Sequence, residues 1–199
     1  RRDWVLEVLR DSTTALAGVS HKLRGGGEDR RTADREEDRV RVTTREQLDG
    51  TVEEVYALFT DVAFQEAKCL ATTDDANHFS VDVMGGPTGE KVRTERHLPS
   101  ETLPDVAKSF VGEHLTIIEV QTWSMPAADG SRESVVDMHV KGAPLTLKGT
   151  LRLEPSKGGT VQVLDAELKA HVPFIGGKIE QAAADPIRTA IGIETGLLR

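Results

Sequence analysis

The chain has 199 residues, 38% of them apolar before its 18 glycines are counted, which suits one folded domain or one domain carrying a tail. A net charge of −8 argues against a general electrostatic partnership with nucleic acid or anionic membrane, and the single cysteine, Cys69, excludes an intramolecular disulfide framework and any CxxC zinc or redox site. No membrane span is expected, because no run approaches the length of about 18 uninterrupted apolar residues that one needs. The opening Arg1-Arg2-Asp3-Trp4 lacks the apolar stretch of a signal peptide, so a cytoplasmic protein is expected.

In residues 1–24, Trp4, Val5, Val8, Leu9, Leu16, Val19 and Leu23 recur at helical spacing among Asp3, Glu7, Arg10 and Asp11. Such an amphipathic helix must bury its apolar stripe on its own domain, on a second copy or on another partner. Residues 25–38 are rich in glycine and charge, with Ala33 the largest apolar side chain. They read as a linker or a solvated helix, since so little apolar surface cannot offset the entropy of ordering.

From residue 39 a domain begins that runs to 199. Val40 and Val42 alternate with Arg39, Arg41 and Thr43, the pattern of a strand. Thr51 followed three residues later by Glu54 is a capping-box signature, and it opens a helix with Val52, Val55, Tyr56 and Phe59 on one face. Asp61 to Ala71 continues helically, with Phe64, Ala67 and Leu70 or Ala71 on one side. Phe79, Val81 and Val83 alternate up to Gly85-Gly86-Pro87, and strand patterns resume over 89–98, 117–124, 134–140, 145–153 and 160–172 between clusters of turn residues. Residues 103–112 interrupt them with a short helix that takes Pro104 in its first turn and ends at Gly112. In the last strand the apolar phase slips from Val161 and Val163 to Leu164, Ala166 and Leu168, which predicts a β-bulge. A final helix follows Gly176-Gly177, its stripe made of Ile175, Ile179, Ala183, Ile187 and Ile191, and Pro186 predicts a kink or break near 185.

One strand, two short helices, about six antiparallel strands and a long helix make an α+β architecture. A curved sheet cannot cover its own concave face, so the last helix must lie across it, and an arrangement of this kind often encloses a cavity for a small molecule. The candidate lining is Phe79, Val81, Val83, Val92, Ile118, Val120, Val136, Met138, Val140, Leu147 and Leu168 from the strands, facing Phe59, Phe64, Ile179, Ala183 and Ile187 from the helices. Met138 and Ala183 are the positions most expected to border empty volume.

No GxSxG, HExxH, Walker or dinucleotide motif is present, so no catalytic residue and no cofactor are assigned. The six histidines, His21, His78, His97, His114, His139 and His171, show no paired ligand spacing, and no metal is assigned. Arg96 shares the phase of Val92, Thr94 and Leu98 and is expected on the concave side. An inward guanidinium needs a partner, which is either an anionic group of a ligand or a protein carboxylate, unless its head reaches water at the rim. Trp123 shares a face with Ile117, Glu119 and Gln121, opposite Ile118 and Val120, and serves as cavity wall or core packing. Cys69 beside Lys68 raises the question of a lowered thiol pKa.

Several stretches resemble the START-like superfamily, also called SRPBCC, with the helix-grip fold of birch-pollen-allergen-like proteins. They are VEEVYALFTDVAFQEAK (52–68), LPDVAKSFVG (103–112), QTWS (121–124), GTLRLEP (149–155) and VPFIGGKIEQ (172–181), and more narrowly they are similar to an uncharacterised actinobacterial branch. The likeness covers residues 39–199 and leaves 1–38 without a counterpart; Pro186, Gly192 and Gly196 make a weaker gripping helix than the family's. It implies a curved antiparallel sheet of about seven strands around the C-terminal helix, and it brings no catalytic motif with it. Three functions follow as expectations: non-catalytic binding or transport of a hydrophobic small molecule, lipid or polyketide-like; a protein-interaction or homodimer module acting through residues 4–23; and a cyclase- or dehydratase-type enzyme that uses Arg96.

Overall fold

A computed structural model of the protein describes residues 40–73, 79–86, 89–99 and 114–198. The expected N-terminal helix, the linker and the helix at 103–112 lie outside the described residues.

Strand β1 occupies Val40–Leu48, and the capping box then starts helix α1, Val52–Phe59. Thr51 Oγ1 accepts from the Glu54 amide while the Glu54 carboxylate accepts from the Thr51 amide at 2.7 Å, which satisfies two N–H groups that the helix start leaves over. Asp61 caps helix α2, Val62–Thr72, through the Phe64 amide. The Nε2 of Gln65 donates to the Phe59 carbonyl at 2.7 Å, so the end of α1 is hydrogen-bonded inside the core. Helix α2 buries Phe64, Gln65, Lys68 and Cys69, while Ala67 and Leu70 are exposed. The expected face is therefore corrected by about one residue. A helix turned by its strongest apolar anchors, here Phe64 and Cys69, carries the polar residues between them inward.

The remaining strands are β2 (Phe79–Met84), β3 (Lys91–Pro99), β4 (His114–Trp123), β5 (Arg132–Lys141), β6 (Leu145–Ser156) and β7 (Gly159–Ala170). With β1 they form one seven-stranded antiparallel sheet in the order β1-β7-β6-β5-β4-β3-β2. The β6–β7 hairpin turns at Gly159, whose φ of 120° and whose distance of 2.4 Å from a would-be Cβ to the Leu48 carbonyl leave room for glycine alone. Strand β7 pairs without an inserted residue from Val40–Leu168 to Leu48–Thr160 on one side and from Leu145–Ala170 to Ser156–Gly159 on the other, so the expected bulge is absent. Its buried face is Thr160, Gln162, Leu164, Ala166, Leu168 and Ala170 throughout. The apolar pattern slips because the inner face accepts Thr160, whose hydroxyl donates to the Gly50 carbonyl at 3.0 Å, and Gln162.

Helix α3, Gly176–Leu197, packs against β1, β7 and α2 and runs through Pro186 without a break. The proline costs one intrahelical bond, and packing against the sheet holds the rest. Its fully buried side is Gly176, Glu180, Ala184 and Thr195, with Ala183, Ile187 and Ile191 partly buried on the core. The seam thus lies one residue beyond the expected stripe, for an identifiable reason: the Glu180 carboxylate accepts the Ala170 amide at 2.8 Å where β7 ends.

Candidate functional site

Reading the register across the sheet identifies what faces the helices. One row runs Val81, Thr94, Glu119, Met138, Leu147, Leu168, Val40, and the next runs Val83, Val92, Gln121, Val136, Gly149, Ala166, Val42. Phe79 and Arg96 continue into Ile117 and Val140, and Trp123 into Ser134, Leu151 and Leu164. Arg96 therefore lies on the inner face, as its phase predicts, and so do Phe79, Val81 and Met138. Ile118 and Val120 lie on the outer face, opposite Glu95 with His139 and opposite Arg93 with Asp137. This corrects their expected place in the lining. The buried Trp123 sets the phase of β4 and carries Glu119 and Gln121 inward with it, so strict alternation turns the isoleucine and valine out.

Phe59, Phe64 and Trp123 are buried together under α1 and α2. Trp123 meets Tyr56 edge-on at 5.3 Å between ring centroids and Phe59 at 5.5 Å, and Phe59 meets Phe64 at 6.0 Å. The Arg132 guanidinium covers the outer side of Tyr56 at 3.7 Å. This end of the molecule is an aromatic plug. Among the two alternatives for Trp123, packing is the one realised.

Beside the plug, four charges from four elements converge. Lys68 of α2 is 1% exposed at its side chain; its Nζ stands 3.1 Å from Glu119 Oε1 and 3.6 Å from Glu194 Oε2 of α3. Arg96 donates from Nη2 to Glu119 Oε2 at 2.9 Å and from Nη1 to Thr72 Oγ1 at 2.9 Å. Gln121 Nε2 adds a bond to Glu119 Oε1 at 2.9 Å, and Thr72 returns its own proton to the Lys68 carbonyl. Two cations face two carboxylates, so the cluster is neutral when all four are ionised. The need of Arg96 for an anion is met by Glu119.

The two acids differ because their donors differ. Burial pushes Glu119 up, but the charges of Lys68 and Arg96 and the bonds from Gln121 and Lys68 outweigh it and hold the carboxyl at about 2. Burial also pushes Glu194 up, and there the attraction of Lys68 does not overcome it against the repulsion of Glu119, so its carboxyl lies above the ordinary value. Glu194 is thus the first of the pair to take a proton as the pH falls. Burial draws the Lys68 ammonium down, yet the carboxylates of Glu119 and Glu194 leave it above the ordinary lysine value. Burial pushes the Cys69 thiol up, which answers the question its place beside Lys68 raised; its cationic neighbours are already spent on the carboxylates.

Lys68, Glu119 and Glu194 were not among the sequence candidates. The signal for Lys68 was the spacing Phe64, Lys68, Thr72 on one helical face, and for Glu119 its shared phase with Trp123. Three polar atoms at this cluster, Arg96 Nε, Gln121 Oε1 and Thr94 Oγ1, are enclosed without a hydrogen-bond partner among the described residues. Val40 of β1, Val83 of β2, Met138 of the central β5 and Leu145 of β6, with Ala183, Ile187 and Ile191 of α3, pack on the core yet stay only partly buried. Phe79, Val81 and Ile179 are also half-buried. A separate open groove of about 670 Å³ at the α1 end is lined by Thr51, Glu53, Glu54, Pro155 and Ser156, but its acids are already bonded to Arg132 and Thr51.

Solved structures share this architecture. The STAR-related lipid transfer protein of Xanthomonas axonopodis is similar over 80% of this chain and 86% of its own, at 14% identity and a TM-score of 0.50. An uncharacterised protein of Rhizobium leguminosarum is similar over 80% and 94%, at 10% identity and a TM-score of 0.50. The fold is that of the START-like, helix-grip proteins. Uncharacterised proteins of Mycobacterium tuberculosis and Mycobacterium bovis are 27% identical over 152 residues, which cover 73% of this chain and 87% of theirs. Residues 43–199 match the family described as protein of unknown function DUF2505, and this chain belongs to that family.

Proposed function

We propose that the protein binds a hydrophobic small molecule, lipid or polyketide-like, between the middle of the sheet and α3, without transforming it. The observation that carries this reading is Met138: it sits in the central strands on the inner face, between Glu119 and Leu147, and still keeps accessible surface. A side chain at the centre of a closed core would keep none. Ala183 and Ile187 of α3, which pack on the same core, are half-buried too. The unpartnered Arg96 Nε, Gln121 Oε1 and Thr94 Oγ1 support a ligand with one polar end, since enclosed polar atoms without partners are costly. The cluster's own charges are balanced, which favours a neutral hydroxyl or carbonyl over a strong anion. The similarity of fold to the STAR-related lipid transfer protein of Xanthomonas axonopodis agrees with an apolar ligand.

The test is organic extraction of the purified full chain followed by mass spectrometry, together with titration by a fluorescent apolar probe such as anilinonaphthalene sulfonate. An apolar compound near one per chain is expected, and Met138→Trp should expel it by filling the space. A folded protein that yields no extractable compound and binds no probe overturns the reading.

A further inference from the structure

Phe174 stands apart from every other large apolar side chain described: it is fully exposed, and its backbone sits at φ 65°, a conformation that bulky L-residues avoid. It lies in the turn between β7 and α3. That turn is anchored, not loose, since the His171 amide donates to the Pro144 carbonyl at 2.7 Å and the Gly176 amide to Val172 at 3.0 Å. The His171–Pro144 bond joins it to the β5–β6 turn, so two loops share one end of the sheet. Among the described residues, the stretches 138–150 and 168–179 at this end contain no Asp or Glu. They carry exposed Lys141, Lys148, Lys169, His171 and Lys178 in a chain whose net charge is −8. Lys148 pairs with Asp137 at 2.8 Å and Lys169 lies 3.7 Å from Glu180, while Lys141 and Lys178 flank the turn on either side. The nearest acid along the helix, Glu180, is turned inward onto the Ala170 amide.

We infer that this end docks on an anionic lipid surface, with Phe174 entering the headgroup boundary and Lys141 and Lys178 facing lipid phosphates. An exposed aromatic side chain in a turn whose neighbouring strand and helix ends carry lysines is the chemistry such a surface recognises. The overall negative charge does not prevent it, because charges on the far side of the molecule lie beyond the roughly 8 Å over which salt lets them act. The inference concerns the outside of the molecule and is independent of what the interior binds.

The experiment is co-sedimentation of the full chain with phosphatidylcholine vesicles made with and without phosphatidylglycerol. Binding is expected only with the anionic lipid and should fall as salt is raised. Phe174→Asn should weaken it about tenfold or more through the lost apolar burial. Lys178→Glu should weaken it about fivefold or more. Circular dichroism of each variant confirms an intact fold. Equal binding to neutral vesicles, or binding of both variants at the level of the parent chain, overturns the inference. So does a parent chain that ignores vesicles while Phe174→Asn changes its sedimentation from dimer to monomer, for then a second copy is the occupant.

Discussion

The ammonium of Lys68 lies 3.1 Å from the Glu119 carboxylate across 51 positions of sequence, with neither group at the surface. The bond joins α2 to β4, and Glu194 extends it to the last turns of α3. Lys68 is therefore the point at which the gripping helix, the short helix and the sheet are tied together. Removing one partner of such a network strands a charge, which costs about 3–5 kcal/mol.

Lys68→Met should accordingly destabilise the protein by about 3 kcal/mol, measured by urea unfolding. The double variant Lys68→Met/Glu194→Gln should lose less than Lys68→Met alone at neutral pH, because the second change removes the carboxylate left without its cation. If the two losses simply add, the coupling between α2 and α3 through this pair is refuted.

Acid should act on the two carboxylates with opposite sign. Glu119 is held at about 2 against an ordinary 4.5, so the unfolded chain binds the extra proton between those values and stability falls as the pH drops through that window. Its share is at most about 3 kcal/mol. Glu194 lies above 4.5, so there the folded state holds the extra proton, and its contribution is present below 4.5 and lost as the pH rises through its folded value. Stability measured against pH should peak in mildly acidic solution, and Glu194→Gln should flatten the alkaline side of that peak while leaving the acid limb in place.

Gly149 lies on the inner face of β6 opposite Ala166 of β7, and a Cβ there would come within 2.1 Å of the Asp165 carbonyl and 2.4 Å of the Ala166 Cα. Gly149→Ala should cost at least about 2 kcal/mol by thermal unfolding, since backbone atoms and not a pliable side chain must give way. Gly192, whose Cβ would meet nothing within 4 Å, is the control: Gly192→Ala should raise the melting temperature through better helix propensity.

Phe174→Asn should stabilise the fold by about 1 kcal/mol, because asparagine tolerates the left-handed backbone that phenylalanine resists and no buried contact is lost. A melting temperature unchanged or lowered would mean that the turn holds no strain.

What the sequence alone determined was the order and type of the described elements. The capping box at Thr51 and Glu54, the alternation of the strands, the turn residues between them and the stripe of the last helix are local signals. They mark each described element correctly because capping and periodicity act over a few residues, although the buried seam of the last helix falls one residue beyond its stripe. They also put Arg96 on the inner face, where the structure has it. What only the tertiary structure decided was which polar residues go inward. Lys68, Glu119 and Glu194 are each unremarkable in sequence, and Ile118 is the more plausible core residue than Glu119. Packing reverses that choice: Trp123 and Cys69 set the phases of β4 and α2, and the charges carried in with them are tolerated only because Arg96 and the C-terminal helix bring their partners to the same place. A contact spanning 51 residues between groups that each oppose burial has no local signature. Only its closed set of partners makes it favourable, and that set exists only once the chain has folded.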